Sequence, residues 1–260
     1  MTRFRVTGIV RLSLSIGDDD LSKKYKGKPC VYCVDALSTG ADHVIAREFF
    51  SERWRQNLPK VPACDKCNSR KARFETVLTA LIPLGSDHPV AVEIGAKVLH
   101  GRLAKNLALQ RSMFASMQTV WREMPSALLL PSAMFGGHGH EFGELFGLIV
   151  RGLVWHEWQA LIPKDYDVRV GTVPPEGRDD LRVTLLSCGS DHTVSRRFAG
   201  GGFVYTATRN ATDAAMSMWE LAFYDGSQMA TPRGREIVTL FVFVLTGPRS
   251  IIEKEAREAT

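Results

Sequence analysis

Cys30-Val31-Tyr32-Cys33 and Cys64-Asp65-Lys66-Cys67-Asn68 bracket the segment Ala41-Asp42-His43-Val44-Ile45, and these three stretches decide how the N-terminal part of the chain folds. Four thiolates in two Cys-x-x-Cys knuckles are the ligand set of a closed tetrahedral zinc site, which clamps chain ends together where little apolar core is available. Between the clamped ends a carboxylate stands beside an imidazole, and a polar amide follows the second knuckle at once. An acid next to a His, held by a metal staple and closed by an amide, is the equipment of a divalent-ion phosphodiester hydrolase.

Around these residues the pattern is strand, loop, strand, helix. Residues 39–45 fit one short strand and 58–62 a second. Residues 69–82 fit a helix, with Phe74, Val77, Leu78 and Leu81 at helical spacing and Pro83 to stop it. With Asn57 opening the run Asn57-Leu58-Pro59-Lys60-Val61-Pro62-Ala63-Cys64, and Lys71 three residues beyond Asn68, residues 25–82 resemble the HNH endonucleases, whose site is a ββα-metal fold. The cysteines, the Asp-His pair and both asparagines stand in that family's order, and nothing outside this stretch shares the resemblance.

The resemblance implies a role for each residue. Asp42 and Asn68 hold one catalytic Mg²⁺ or Mn²⁺, His43 is the general base that activates water, and Asn57 orients the loop carrying His43. The four cysteines Cys30, Cys33, Cys64 and Cys67 hold a structural Zn²⁺. The chemistry agrees: neutral imidazole, with an ordinary pKa of about 6.5, accepts a proton at cellular pH, and hard cations take oxygen ligands while keeping positions for water and phosphate. Two further Asp-His dipeptides lie outside the knuckles. Asp87-His88 precedes Pro89 and reads as a helix cap, and Asp191-His192 follows a Cys-Gly-Ser turn and reads as a loop. It is the bracketing by cysteines, not the dipeptide, that singles out His43. The competing reading of the knuckles is a bare zinc ribbon that organises a nucleic-acid-binding surface without catalysis.

Charge points the same way. Residues 1–80 hold 15 Lys and Arg against 9 Asp and Glu, a net of +6, and the remainder holds 18 against 19, a net of −1. The basic excess surrounds the motif, as expected if that part holds a polyanion. Arg70, Lys71, Lys66 and Arg47 are the expected backbone-phosphate contacts, with Lys97, Arg102, Lys105 and Arg111 a weaker extension. His138 and His140 sit in a glycine-punctuated loop that offers no complete ligand set, and Trp155 and Trp158, at i and i+3 in an apolar helix, read as core.

The expected fold class is α+β: an N-terminal zinc-clamped ββα-metal (HNH) domain in residues 1–83, a helical region in 84–163 and an antiparallel β-rich region in 164–260. A strand is expected at 4–12. Helices are expected from Pro89 towards Met124 and over 141–161, and about five strands at 168–170, 181–186, 203–208, 218–224 and 236–244. Arg3, Arg5 and Arg11 interrupt the N-terminal apolar residues and Asp18-Asp19-Asp20 follow, so a secretory segment is not expected; the longest apolar run, 237–245, is too short for a membrane helix. The expected compartment is the cytoplasm, where paired cysteines read as metal ligands and the fifth, Cys188, as a small buried hydrophobe. The expected partner is DNA, with RNA a second candidate and no membrane. The resemblance implies one catalytic ion per site, so cutting both strands calls for a homodimer or paired nicking; the C-terminal half is a candidate for dimerisation or target choice, or a receiver for an activating partner or ligand.

Overall fold

β1 (Gly40–His43) and β2 (Lys60–Ala63) pair antiparallel, with Gly40 opposite Ala63 and His43 opposite Lys60, in a computed structural model that describes residues 23–123, 129–173, 175–187, 190–230 and 237–252. The long connection between them is part of the core. Val44, Ile45, Phe49 and Phe50 are fully buried there, and each large side chain contributes roughly 1.5–3 kcal/mol on burial. Cys64 then caps α1 (Asp65–Leu81) with extended backbone, and Asp65 lies in the first turn, where the helix dipole favours a carboxylate. The helix starts four residues earlier than the apolar pattern suggested, because polar residues of the knuckle form its first turn. Pro83 falls in the 3₁₀ turn Ile82–Gly85 that ends it.

Short helices follow. In α2 (Pro89–Ile94) the N-cap is His88, whose ring Nδ1 accepts from the Val90 amide at 3.2 Å, so the expected acidic cap at Asp87 is displaced by one residue. A π turn (Gly95–Leu99) leads to α3 (His100–Lys105) and α4 (Leu107–Ser116). The helix expected to run on towards Met124 stops at Ser116. Met117–Glu123 (β3) instead pairs antiparallel with Leu129–Phe135 (β4), since Thr119, Val120 and Trp121 prefer an extended backbone and a partner strand is near in sequence. The expected strand at 4–12 and Cys188 lie outside the described residues.

α5 (Gly139–Trp158) is the central element. It buries Leu145, Phe146, Ile149, Val150, Leu153 and Val154, and Gln159 in left-handed conformation closes it. One face meets the N-terminal unit closely enough that a Cβ on Gly152 would lie 2.9 Å from Val44 methyls. Another face meets the C-terminal sheet. After β5 (Tyr166–Val173), residues 181–186, expected as a strand, belong to helix α6 (Pro175–Ser187). The apolar positions Leu181, Val183 and Leu185 suit alternation, but only Leu185 is buried while Val183 and Leu186 are exposed at 68% and 58%. Pro175 at the start and Asp179 and Asp180 in the early turns favour the helix.

The sheet is completed by β6 (Thr193–Phe198), β7 (Phe203–Arg209), β8 (Ser217–Phe223), β9 (Ser227–Ala230) and β10 (Ile237–Pro248). Its antiparallel order is β5-β10-β8-β7-β6, with β9 paired to the early part of β10. Among the described residues it has six strands: β6 and β9 were not expected, and the segment expected at 181–186 is replaced by α6. Phe203, Tyr205, Trp219, Leu221 and Phe223 point towards α5, and one hydrophobic cluster runs from Cys30 and Val44 through Leu145 and Ile149 to Trp219 and Val244. Phe223 sits 4.3 Å, ring centre to ring centre, from Phe49, and the Tyr224 hydroxyl donates to the Phe49 carbonyl. Among the described residues no helix is long and apolar enough to cross a membrane.

Candidate functional site

The four expected cysteines converge. The Sγ atoms of Cys30, Cys33, Cys64 and Cys67 all lie within 4.8 Å of one another, with Cys33 and Cys64 4.0 Å apart. A zinc tetrahedron with bonds of about 2.3 Å needs sulfurs about 3.8 Å apart, so the cluster can hold a metal ion such as zinc. The first knuckle turns tightly, with the Val34 amide on the Cys30 carbonyl at 2.8 Å and Val34 itself at φ 65°, a strained value for a β-branched residue. The second knuckle is the start of α1, where the Asn68 amide meets the Cys64 carbonyl at 3.0 Å, and the positive helix end there favours thiolates. Val31 and Thr39 amides on the Pro62 and Ala63 carbonyls sew the first knuckle to β2. Burial pushes the Cys30 and Cys67 thiols up, so an ion entering the cluster displaces protons.

Asp42 and His43 end β1. The Asp42 Oδ2 accepts from the Tyr32 hydroxyl at 2.5 Å and lies 3.0 Å from the Lys71 Nζ. Lys71 is fully buried; its ammonium also donates to the His43 carbonyl at 2.7 Å and to Glu75 Oε1 at 2.5 Å. Three acceptors match the three protons of the ammonium, which is how a charge survives inside a protein. Burial and the neighbouring Asp42 push the Tyr32 phenol up, so it stays a donor. Burial, with Lys60 and Arg47 nearby, lowers the His43 pKa to about 4, so the imidazole is neutral at pH 7. Asp42 Oδ1 makes no hydrogen bond among the described residues. Asn68 is exposed in the first turn of α1. Asn68, Lys71 and Glu75 follow one stripe of α1 at i, i+3 and i+7. Asn68 is thus one turn N-terminal of the lysine that grips β1.

Two expectations are corrected. Lys71, expected on a nucleic-acid backbone, faces inward with no solvent exposure and cannot reach a phosphate. Asn57, expected to orient the loop of His43, is exposed at φ 61°, a conformation Asn tolerates, and makes no hydrogen bond among the described residues. The polar contact that holds the His43 backbone comes from Lys71. Tyr32 and Glu75 were not singled out. The traces they leave in sequence are a phenol inside a metal knuckle and a Lys–Glu pair at i, i+4, both too common to stand out.

Of the other basic residues, Lys66 and Arg47 are exposed, and Arg70 pairs with Glu144. Arg102, half buried, donates to the Glu48 carbonyl at 2.7 Å. Trp158 packs on Trp219 at 5.1 Å and Trp155 on Tyr25 at 5.9 Å, as core residues do. The His138 Nε2 lies 3.5 Å from Ser116 Oγ, and His140 stands edge-on to Phe74; among the described residues the four cysteines are the one group of three or more His, Cys, Asp or Glu side chains placed to take a metal. No family model, curated protein or solved structure matches this chain, so its candidate site is defined by the geometry of these residues alone.

Proposed function

We propose that this chain is a metal-dependent endonuclease of the HNH type that hydrolyses phosphodiester bonds in DNA. The observation that supports it is the arrangement of an antiparallel hairpin followed directly by a helix. The Asp42-His43 pair ends the first strand, Asn68 opens the helix, Lys71 ties the two together, and four clustered cysteines close the unit. His43, neutral at pH 7, takes the proton of an attacking water, help worth about 10²–10⁴ in rate. Asp42, through Oδ1, and Asn68 would hold Mg²⁺ or Mn²⁺, which when bound supplies positive charge to the phosphoryl oxygens. Lys66 and Arg47, exposed within the basic N-terminal part, position the backbone without reading sequence.

The test is cleavage of supercoiled plasmid, linear duplex, single-stranded DNA and RNA with Mg²⁺, Mn²⁺ or EDTA, wild type beside His43→Ala. Metal-dependent cleavage that the variant lacks is the expected result. A second reading, a zinc-stabilised nucleic-acid-binding module without catalysis, draws on one observation: Asp42 commits an oxygen to Lys71 and Tyr32. Nucleic acid bound but uncut with every metal would favour that reading and overturn the first.

A further inference from the structure

The outer face of the C-terminal sheet, turned away from α5, carries a cleft of about 400 Å³ beside α6. Alternation along β7 and β8 sends Val204, Thr206, Glu220 and Ala222 to this face while Tyr205 and Trp219 enter the core. Four arginines line the cleft, Arg178 and Arg182 from α6 and Arg196 and Arg197 from β6, against two carboxylates, Glu220 and Asp225. Arg196 is committed to Glu157 at 2.8 Å, which leaves three guanidinium groups facing two acids.

Two of them are anchored at Glu220. The buried Glu220 accepts from Arg178 Nε at 2.5 Å through Oε1, while its Oε2 stands in an ion pair 3.2 Å from Arg182 Nε, and the terminal Nη groups of both arginines make no hydrogen bond among the described residues. The Arg178 Cζ lies over the Phe241 ring, 3.6 Å from its centre. Arg197 makes no hydrogen bond among the described residues and rests against Gly201, where a Cβ would fall 2.5 Å from its Nη1. Ser195 and Thr206 add hydroxyls to the floor. Planar forks with open Nη groups match phosphate oxygens bidentately. The volume is that of a small-ligand site and not of a groove for a polymer.

We infer that this cleft binds a phosphate-bearing small molecule of nucleotide size, with Arg178, Arg182 and Arg197 on the phosphate and Phe241 as part of an apolar wall. The inference stands apart from the nuclease reading. It is tested by calorimetric titration of the full-length His43→Ala protein in EDTA, so that neither cleavage nor a divalent ion contributes. The probes are ATP, inorganic pyrophosphate and adenosine. ATP is expected to bind, more tightly than pyrophosphate, with no heat from adenosine. Arg197→Gln and Arg182→Gln should each weaken ATP roughly tenfold or more, as loss of a charge-assisted contact does. Arg197→Gln should melt like its parent, since that guanidinium has no protein hydrogen bond to lose. No ATP binding at millimolar concentration, pyrophosphate binding as tightly as ATP, adenosine binding as well, or affinity unchanged in both variants would each overturn the assignment.

Discussion

Replacing Lys71 by methionine keeps the length and apolar stem of the side chain and removes only the charge. The ammonium is fully buried and sits 3.0 Å from Asp42 Oδ2, 2.5 Å from Glu75 Oε1 and 2.7 Å from the His43 carbonyl. The variant takes the cation from two largely buried carboxylates and from the His43 carbonyl at once; breaking a buried pair in this way costs about 3–5 kcal/mol. Glu75 decides the pH dependence. Burial already raises its carboxyl while Lys71 pulls it down, so without Lys71 it rises further. A carboxyl raised in the folded state binds protons more tightly folded than unfolded, and stability from that group increases as pH falls. The loss measured by urea unfolding should therefore be about 3–5 kcal/mol at pH 7 and smaller at pH 5. Lys71→Met/Glu75→Gln should recover part of it, because one stranded charge is gone. A loss under about 1 kcal/mol at pH 7, or the same loss at both pH values, would refute the view that Lys71 is the buried cation joining helix to strand.

Three further outcomes follow from named contacts. His43→Ala should keep its fold and metal content while cleavage falls at least about a hundredfold; loss of bound zinc or of folding would show that His43 is structural. Cys64→Ser should lower zinc below one per chain by elemental analysis and lower the melting temperature, because metal binding supplies folding free energy in such a unit; full zinc occupancy in the variant would remove Cys64 from the ligand set. Gly152→Ala should cost about 1–3 kcal/mol, since its Cβ would meet Val44 methyls at 2.9 Å, and Val44→Ala in the same chain should restore part of that; additive losses would mean that helix and loop are not in contact.

Local chemistry is what could be read without a structure. The cysteine spacing, the Asp-His pair, the helix behind the second knuckle and the apolar helix ending near Trp158 all depend on neighbours within one or two turns, so linear order carries them. The errors arose where a segment's partner is distant. Residues 181–186 present apolar side chains that suit either period, and their place over the sheet, with Leu185 inward and Val183 outward, selects the helix. Residues 117–123 continue an apolar pattern, yet pairing with residues 129–135 makes them a strand. Lys71 is the sharpest case. Its number in the chain told of a cation beside a basic motif, whereas its direction, inward to Asp42, Glu75 and the His43 carbonyl, exists only once α1 lies across β1. The arginines of the outer cleft come from a helix and a strand joined by nothing in sequence pattern. Arg178 and Arg182 meet Glu220 only once α6 lies over β8, because a charge finds its counter-charge through space and not along the chain.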